Sequence, residues 1–219
     1  MDDAVWKQTW GEALNQQQAA AVQAADGPVL LLAVPGSGKT TVLIHRLGYL
    51  MDCRGIPPER ILTVTYTVAA TRDMRARFAR TFGEDRANRL EFRTINGLSA
   101  RIIQYYERAM GRRAFQLVTD EGTLSSLVGE LFRACTGTFA TESTIKGLRT
   151  AITYGKNRQM SREEMEALST GELPVAQVYQ AYCRVLRQRG WMDYDDQMVY
   201  AAQILRRHGE ILAYFQEKY

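Results

Sequence analysis

The 219 residues, 46% apolar and 24% charged with a net charge of +4, suit one large or two small globular domains with a real core. No apolar run approaches the roughly 18 residues of a membrane helix, and the acidic start MDDAVW lacks the basic and apolar stretches of a secretory signal, so a cytoplasmic protein with no membrane partner is expected. Cys53, Cys135 and Cys183 lie far apart without a C-x-x-C pair, and His45 and His208 are isolated, which argues against a disulfide framework or a metal cluster.

In chain order, Leu14–Ala25 reads as a helix with Asn15 near its start and Gly27-Pro28 ending it. Val29–Val34 reads as a short buried strand. A glycine loop and a helix from about Lys39 to Met51 follow, then a turn at Gly55-Ile56-Pro57-Pro58. Ile61–Tyr66 is the second strand, Ala69–Thr81 an arginine-laced helix, Leu90–Thr94 the third strand and Leu98–Ala109 the next helix. Strands alternating with helices imply an α/β fold with a parallel sheet and helical crossovers. Near Gly111 the character changes. Helices are expected at Asp120–Ala134, Glu142–Tyr154, Ser161–Leu168, Pro174–Gln188 and Tyr194–Arg207, with one possible strand at Phe115–Val118. No internal repeat or low-complexity tract is present.

The charge is unevenly spread. The segment from Arg72 to Arg113 holds 11 Arg against 5 acidic residues, a local +6 that leaves the rest of the chain at −2. A basic excess of this kind suits a phosphate-backbone partner; it also suits a solvated helix face.

The strongest motif is Ala33-Val34-Pro35-Gly36-Ser37-Gly38-Lys39-Thr40, followed by Thr41. It sits between an apolar run and a helix, the context a P-loop requires. Small residues let consecutive backbone N–H groups converge on one anion. The helix start adds unpaired N–H groups and about half a positive charge. Lys39 is placed to reach the β- and γ-phosphates of ATP, and the Thr40 hydroxyl to ligate Mg2+.

A hydrolytic P-loop protein also needs a metal-binding Asp at a strand end, often beside a basic Glu. Neither Ile61–Tyr66 nor Leu90–Thr94 ends in Asp. Asp120-Glu121 follows the possible strand, but a helix cap suits these residues better. Asp193, Asp195 and Asp196 likewise read as cap and packing residues. The chain reaches Tyr219 directly after a helix, where an α/β protein would start another strand, so truncation is expected.

At this point the chain resembles superfamily 1 DNA helicases of the UvrD, Rep and PcrA type. Leu14-Asn15-Gln16-Gln17-Gln18 is similar to their Q motif, with Gln18, 21 residues before Lys39, as the adenine reader. Val64-Thr65-Tyr66-Thr67-Val68-Ala69-Ala70-Thr71-Arg72-Asp73-Met74 resembles motif Ia, which implies DNA contacts at Thr65, Tyr66 and Thr67, although Val68 and Ala69 replace the family's Asn and Lys. Arg93-Thr94-Ile95-Asn96-Gly97-Leu98-Ser99-Ala100-Arg101-Ile102 resembles motif Ib, which implies contacts at Thr94 and Asn96, although Ile95, Asn96 and Gly97 replace the family's Phe, His and Ser. Ile152–Asn157 and Gly190–Asp196 are similar to landmarks in the family's helical insert and at its exit.

The resemblance implies a RecA-like core over 1–110, a helical insert over 111–192 and a return to the core over 193–219, ending before the Walker B strand. It implies an ATP-dependent DNA helicase acting on single-stranded DNA and single/double-strand junctions, inactive without its remaining domains. Two alternatives are a self-contained P-loop NTPase or kinase using Asp120 and Glu121, and a non-catalytic DNA-binding module.

Overall fold

The computed structural model describes residues 1–113, 115–170 and 173–219. The elements are α1 (Asp3–Trp10), α2 (Gln16–Gln23), α3 (Lys39–Asp52), β1 (Leu62–Thr65), α4 (Val68–Phe82), α5 (Glu84–Arg89), β2 (Glu91–Thr94) and α6 (Ile95–Met110). They continue with β3 (Gln116–Leu117), α7 (Glu121–Thr136), α8 (Glu142–Arg158), α9 (Arg162–Glu166), α10 (Val175–Arg189), β4 (Trp191–Met192), α11 (Tyr194–Arg207) and α12 (Gly209–Lys218). The chain forms two compact units, Met1–Leu98 with Tyr214–Tyr219, and Ser99–Ala213. The architecture is mixed helix and strand, with two short parallel strand pairs among the described residues.

In the first unit, β1 pairs with β2 in parallel from Leu62↔Glu91 to Thr65↔Thr94. Parallel strands need a long connection, and α4 and α5 supply it. Thr67 caps α4 by accepting a hydrogen bond from the Ala70 N–H at 3.1 Å, and Gly83, at φ +96°, ends the helix. The core gathers Trp6, Val22, Ile44, Tyr49, Met74, Phe78 and Phe82. Trp6 meets the Tyr49 ring edge-on at 5.4 Å, a geometry favoured by the ring quadrupoles. Arg60 and the Glu217 carbonyl share a 2.7 Å hydrogen bond that ties the last helix to this unit.

The expected strand at Val29–Val34 is not formed. Residues 29–34 carry no strand pairing, and Leu30 and Leu32 are each 82% exposed. A strand is stable only when neighbours take up its N–H and C=O groups. Here β1 and β2 pair with each other, and no described segment pairs with this run. The apolar sequence therefore gives extended propensity without a ladder.

The second unit is built on α7, α8, α9 and α10, whose core includes Val128, Leu148, Met165 and Val178. The two-residue strands β3 and β4 pair in parallel, Gln116↔Trp191 and Leu117↔Met192. A buried ion cluster joins α8 to α11. Lys156 Nζ lies 2.7 Å from Asp193 Oδ2 and 2.8 Å from Asp196 Oδ1, and the Tyr182 hydroxyl donates to Asp193 Oδ2 at 2.9 Å. Burial opposes the charge on Asp193, but the Lys156 ammonium and the hydrogen bonds from Lys156, the Asp196 N–H and Tyr182 hold its carboxyl below the ordinary range. Burial also opposes the Lys156 charge, and the two carboxylates overcome it and raise its pKa. Alongside, Thr153 and Asn157 of α8 donate to Asp195 at 2.7 and 2.8 Å.

Two outcomes are expected. A Cβ on Gly48 in the middle of α3 would overlap the Phe82 ring at Cζ. Alanine ordinarily strengthens a helix interior by roughly 1 kcal/mol over glycine, yet overpacking costs about 1–3 kcal/mol. Gly48→Ala should therefore lower the unfolding free energy measured in urea, and a gain in stability would contradict the packing described. Lys156→Ala leaves two buried carboxylates without their cation. It should cost about 3–5 kcal/mol by the same measurement, whereas a loss below about 1 kcal/mol would show the cluster to be solvated.

Candidate nucleotide-binding site

The glycine loop turns for a local reason. Proline at the second position and glycine with positive φ at the third favour a type II turn. Pro35 and Gly36 occupy those positions, with Gly36 at φ +80°, and the Ser37 N–H donates to the Val34 carbonyl at 3.3 Å. Gly38, at φ +83°, is the cap residue of α3 and makes no side-chain capping bond. The first N–H groups of a helix have no intrahelical acceptor, so α3 presents its free N–H groups and dipole at the loop. No acidic residue occupies its first turn.

Lys39 folds back over this loop. Its ammonium donates to the Ala33 carbonyl at 3.1 Å and to the Val34 carbonyl at 2.8 Å. The Ser37 hydroxyl also donates to Val34 O, at 2.7 Å. Lys39 is exposed, while Thr40 and Thr41 are half-buried, and the Thr41 carbonyl faces His45 Nδ1 at 2.9 Å. The donor set fits a polyphosphate with a hard cation: one exposed ammonium, one hydroxyl at the second helical position, and unpaired backbone N–H groups.

Gln18 lies against the loop. Its Nε2 donates to the Ser37 carbonyl at 3.0 Å, and its Oε1 accepts from the Asn15 N–H at 3.0 Å. Asn15 Oδ1 in turn accepts from the Gln18 N–H at 2.9 Å, closing a capping box on α2. An amide has two donors and two acceptor lone pairs, so Gln18 keeps one of each. A Cβ on Gly38 would lie 2.7 Å from Gln18 Nε2, so glycine is needed there both for φ and for this close approach.

The expected DNA-contact residues gather where β1 and β2 end. Thr65 and Thr94 are directly paired across the strands. Tyr66 follows at the carboxyl end of β1 and is 89% exposed, on the side where open α/β sheets bind ligands. Its neighbours have local duties. The Thr65 hydroxyl lies 2.6 Å from the Thr71 hydroxyl, and Thr67 caps α4. Thr94 Oγ1 accepts from the Gly97 N–H at 3.0 Å. Asn96 Oδ1 is buried without a hydrogen-bond partner among the described residues.

The acidic candidates are otherwise engaged. Asp120 accepts from the Thr123 N–H at 2.7 Å as the cap of α7, and bonds from the Thr123 side chain and backbone hold its pKa down. Glu121 pairs with Arg149. The basic excess of Arg72–Arg113 is partly neutralised from outside that segment, Arg86 by Asp52 and Arg89 by Glu59. Among the described residues, no group of three or more His, Cys, Asp or Glu is placed to hold a metal. No helix among them is long and apolar enough to cross a membrane.

A family model described as the UvrD/REP helicase N-terminal domain matches residues 14–219. The chain is 30% identical over 217 residues to the ATP-dependent DNA helicase PcrA of Leuconostoc citreum, which covers 97% of this chain and 28% of that protein. It is 31% identical over 211 residues to the ATP-dependent DNA helicase PcrA of Staphylococcus epidermidis, which covers 94% of this chain and 28% of that protein. For the Staphylococcus aureus protein of the same name, identity is 30% over 211 residues with the same coverage. The chain spans about 28% of the length of these curated relatives. This chain belongs to the UvrD/REP helicase N-terminal domain family.

Proposed function

We propose that the chain is the ATP-binding N-terminal part of an ATP-dependent DNA helicase that moves along single-stranded DNA in the cytoplasm, in repair or replication restart, and acts at single/double-strand junctions. One observation carries the reading: an uncapped helix start at Gly38–Thr41 under an exposed lysine held by two loop carbonyls, in a chain of this family. ATP with Mg2+ would supply the energy of phosphoryl transfer, and the chain's own groups bind and orient it. The N–H groups at Ser37–Thr41 receive the phosphates. Lys39 exchanges the Ala33 and Val34 carbonyls for phosphate oxygens. The Thr40 hydroxyl holds the cation, and the remaining donor and acceptor of Gln18 read the adenine edge.

Tyr66 is the proposed stacking platform for a DNA base, with Thr65, Thr67, Thr94 and Asn96 around it. The proposed full-length enzyme completes a RecA-like core around Val29–Val34 and places ATP between two such cores, whose closure and opening drive translocation. The fragment by itself binds nucleotide weakly and does not turn it over.

The test is titration of the chain with a fluorescent ATP analogue and Mg2+. Each hydrogen bond from a charged donor is worth about 1.5–3 kcal/mol, so Lys39→Ala should weaken binding roughly tenfold or more. Equal affinity in the variant, or robust hydrolysis by the 219-residue chain, would contradict the assignment.

A further inference from the structure

We infer that the Ser99–Ala213 unit carries a groove of its own for single-stranded nucleic acid, between α6 and α11. The inference rests on the reading that the chain acts on single-stranded DNA. It adds a contact at residues outside the DNA motifs.

The groove is a cavity of about 270 Å³. Its walls include Tyr106 from α6, Phe115, and Tyr200 and Arg207 from α11, with Arg113 and His208 also at its lining. The rings form two pairs. Tyr106 and His208 have centroids 5.0 Å apart at 57°, and Phe115 meets Tyr200 edge-on at 5.9 Å. Tyr200 and Arg207 stand two helical turns apart on α11, so they share a face. An adjoining cavity of about 250 Å³ shares Tyr200 and Gln203 and is lined further on by Arg187 of α10 and by Asp196, which Lys156 neutralises.

The charges select the occupant. Arg113 and Arg207 are exposed, and neither has a hydrogen-bond or ion-pair partner among the described residues. His208 Nδ1 lies 4.0 Å from Glu210 Oε1. Planar guanidiniums suit phosphate. Rings lining the space between them suit a base, whose π-face stacks irrespective of sequence. An acidic peptide would use the arginines and leave the rings idle, so a phosphate–base repeat is the better match. A base then stacks against the outer side of the Phe115–Tyr200 pair while Arg113 and Arg207 hold the phosphates on either side of it.

The test uses fluorescein-labelled oligothymidylate with the 219-residue chain, read by anisotropy over a range of salt. Arg113→Ala/Arg207→Ala should bind roughly tenfold more weakly. Its salt slope should fall by about one to one and a half, as for two lost single-strand phosphate contacts. Binding of the ATP analogue should stay unchanged. Arg113→Lys/Arg207→Lys should recover most of the slope. Wild-type affinity and slope in the alanine variant, while Tyr66→Ala still weakens binding, would overturn the groove and leave the DNA reading standing. That result is the one expected if the groove receives an acidic peptide or another part of a longer protein. Absence of oligonucleotide binding by the wild-type chain would overturn both.

Discussion

Where α3 begins, glycine stands in the place of a capping side chain. Gly38 leaves the first N–H groups of a 14-residue helix without a side-chain acceptor, and unpaired donors at a helix start attract anions. The loop compensates by internal bonding: the Val34 carbonyl takes the Ser37 N–H, the Ser37 hydroxyl and the Lys39 ammonium. The Lys39 bonds to backbone carbonyls are charge-assisted from the donor side alone, whereas a phosphate ionises the acceptor as well, so a polyphosphate can draw Lys39 away. The loop is therefore ordered and still able to exchange partners.

The surroundings hold that loop in register. Gln18 links the capping box of α2 to the Ser37 carbonyl, so a helix start and a loop are fixed by one amide. Beneath it, α3 packs through Ile44, Leu47 and Tyr49, and the glycine at position 48 lets the Phe82 ring of α4 approach its backbone. The second unit has its own device, the buried Lys156 between two aspartates. Such a cluster adds little net stability over apolar packing, but it fixes one way for α8 to meet α11. Tyr200 and Arg207 of α11 form one wall of the inferred groove.

Much of this was legible in the sequence, for identifiable reasons. A P-loop needs particular residues in consecutive order, so its turn and its helix start could be read directly. Asp120 and Asp193 were readable as caps because a cap depends on residues three positions away, and both accept such bonds. What depended on distant partners was not readable. The Lys156–Asp193 bond spans 37 positions. The basic excess counted along Arg72–Arg113 missed Asp52 and Glu59, which approach from elsewhere in the chain. The run Val29–Val34 had strand propensity, but propensity supplies no neighbour. The helix α1 leaves little pattern in eight residues; Asp2 Oδ1 caps it by accepting from the Val5 N–H at 2.8 Å, and Trp6 anchors it in the core. Strand β4, two residues long, is too short to show a period.

The account stands on the anion-receiving end of α3. The most direct measurement is a backbone amide NMR titration of the isotopically labelled chain with ATP and Mg2+. The account predicts shifts concentrated at Ser37–Thr41, with the Gln18 side-chain amide moving in parallel as its contact with Ser37 readjusts. Shifts confined to other residues, or a loop unchanged at millimolar nucleotide, would contradict it.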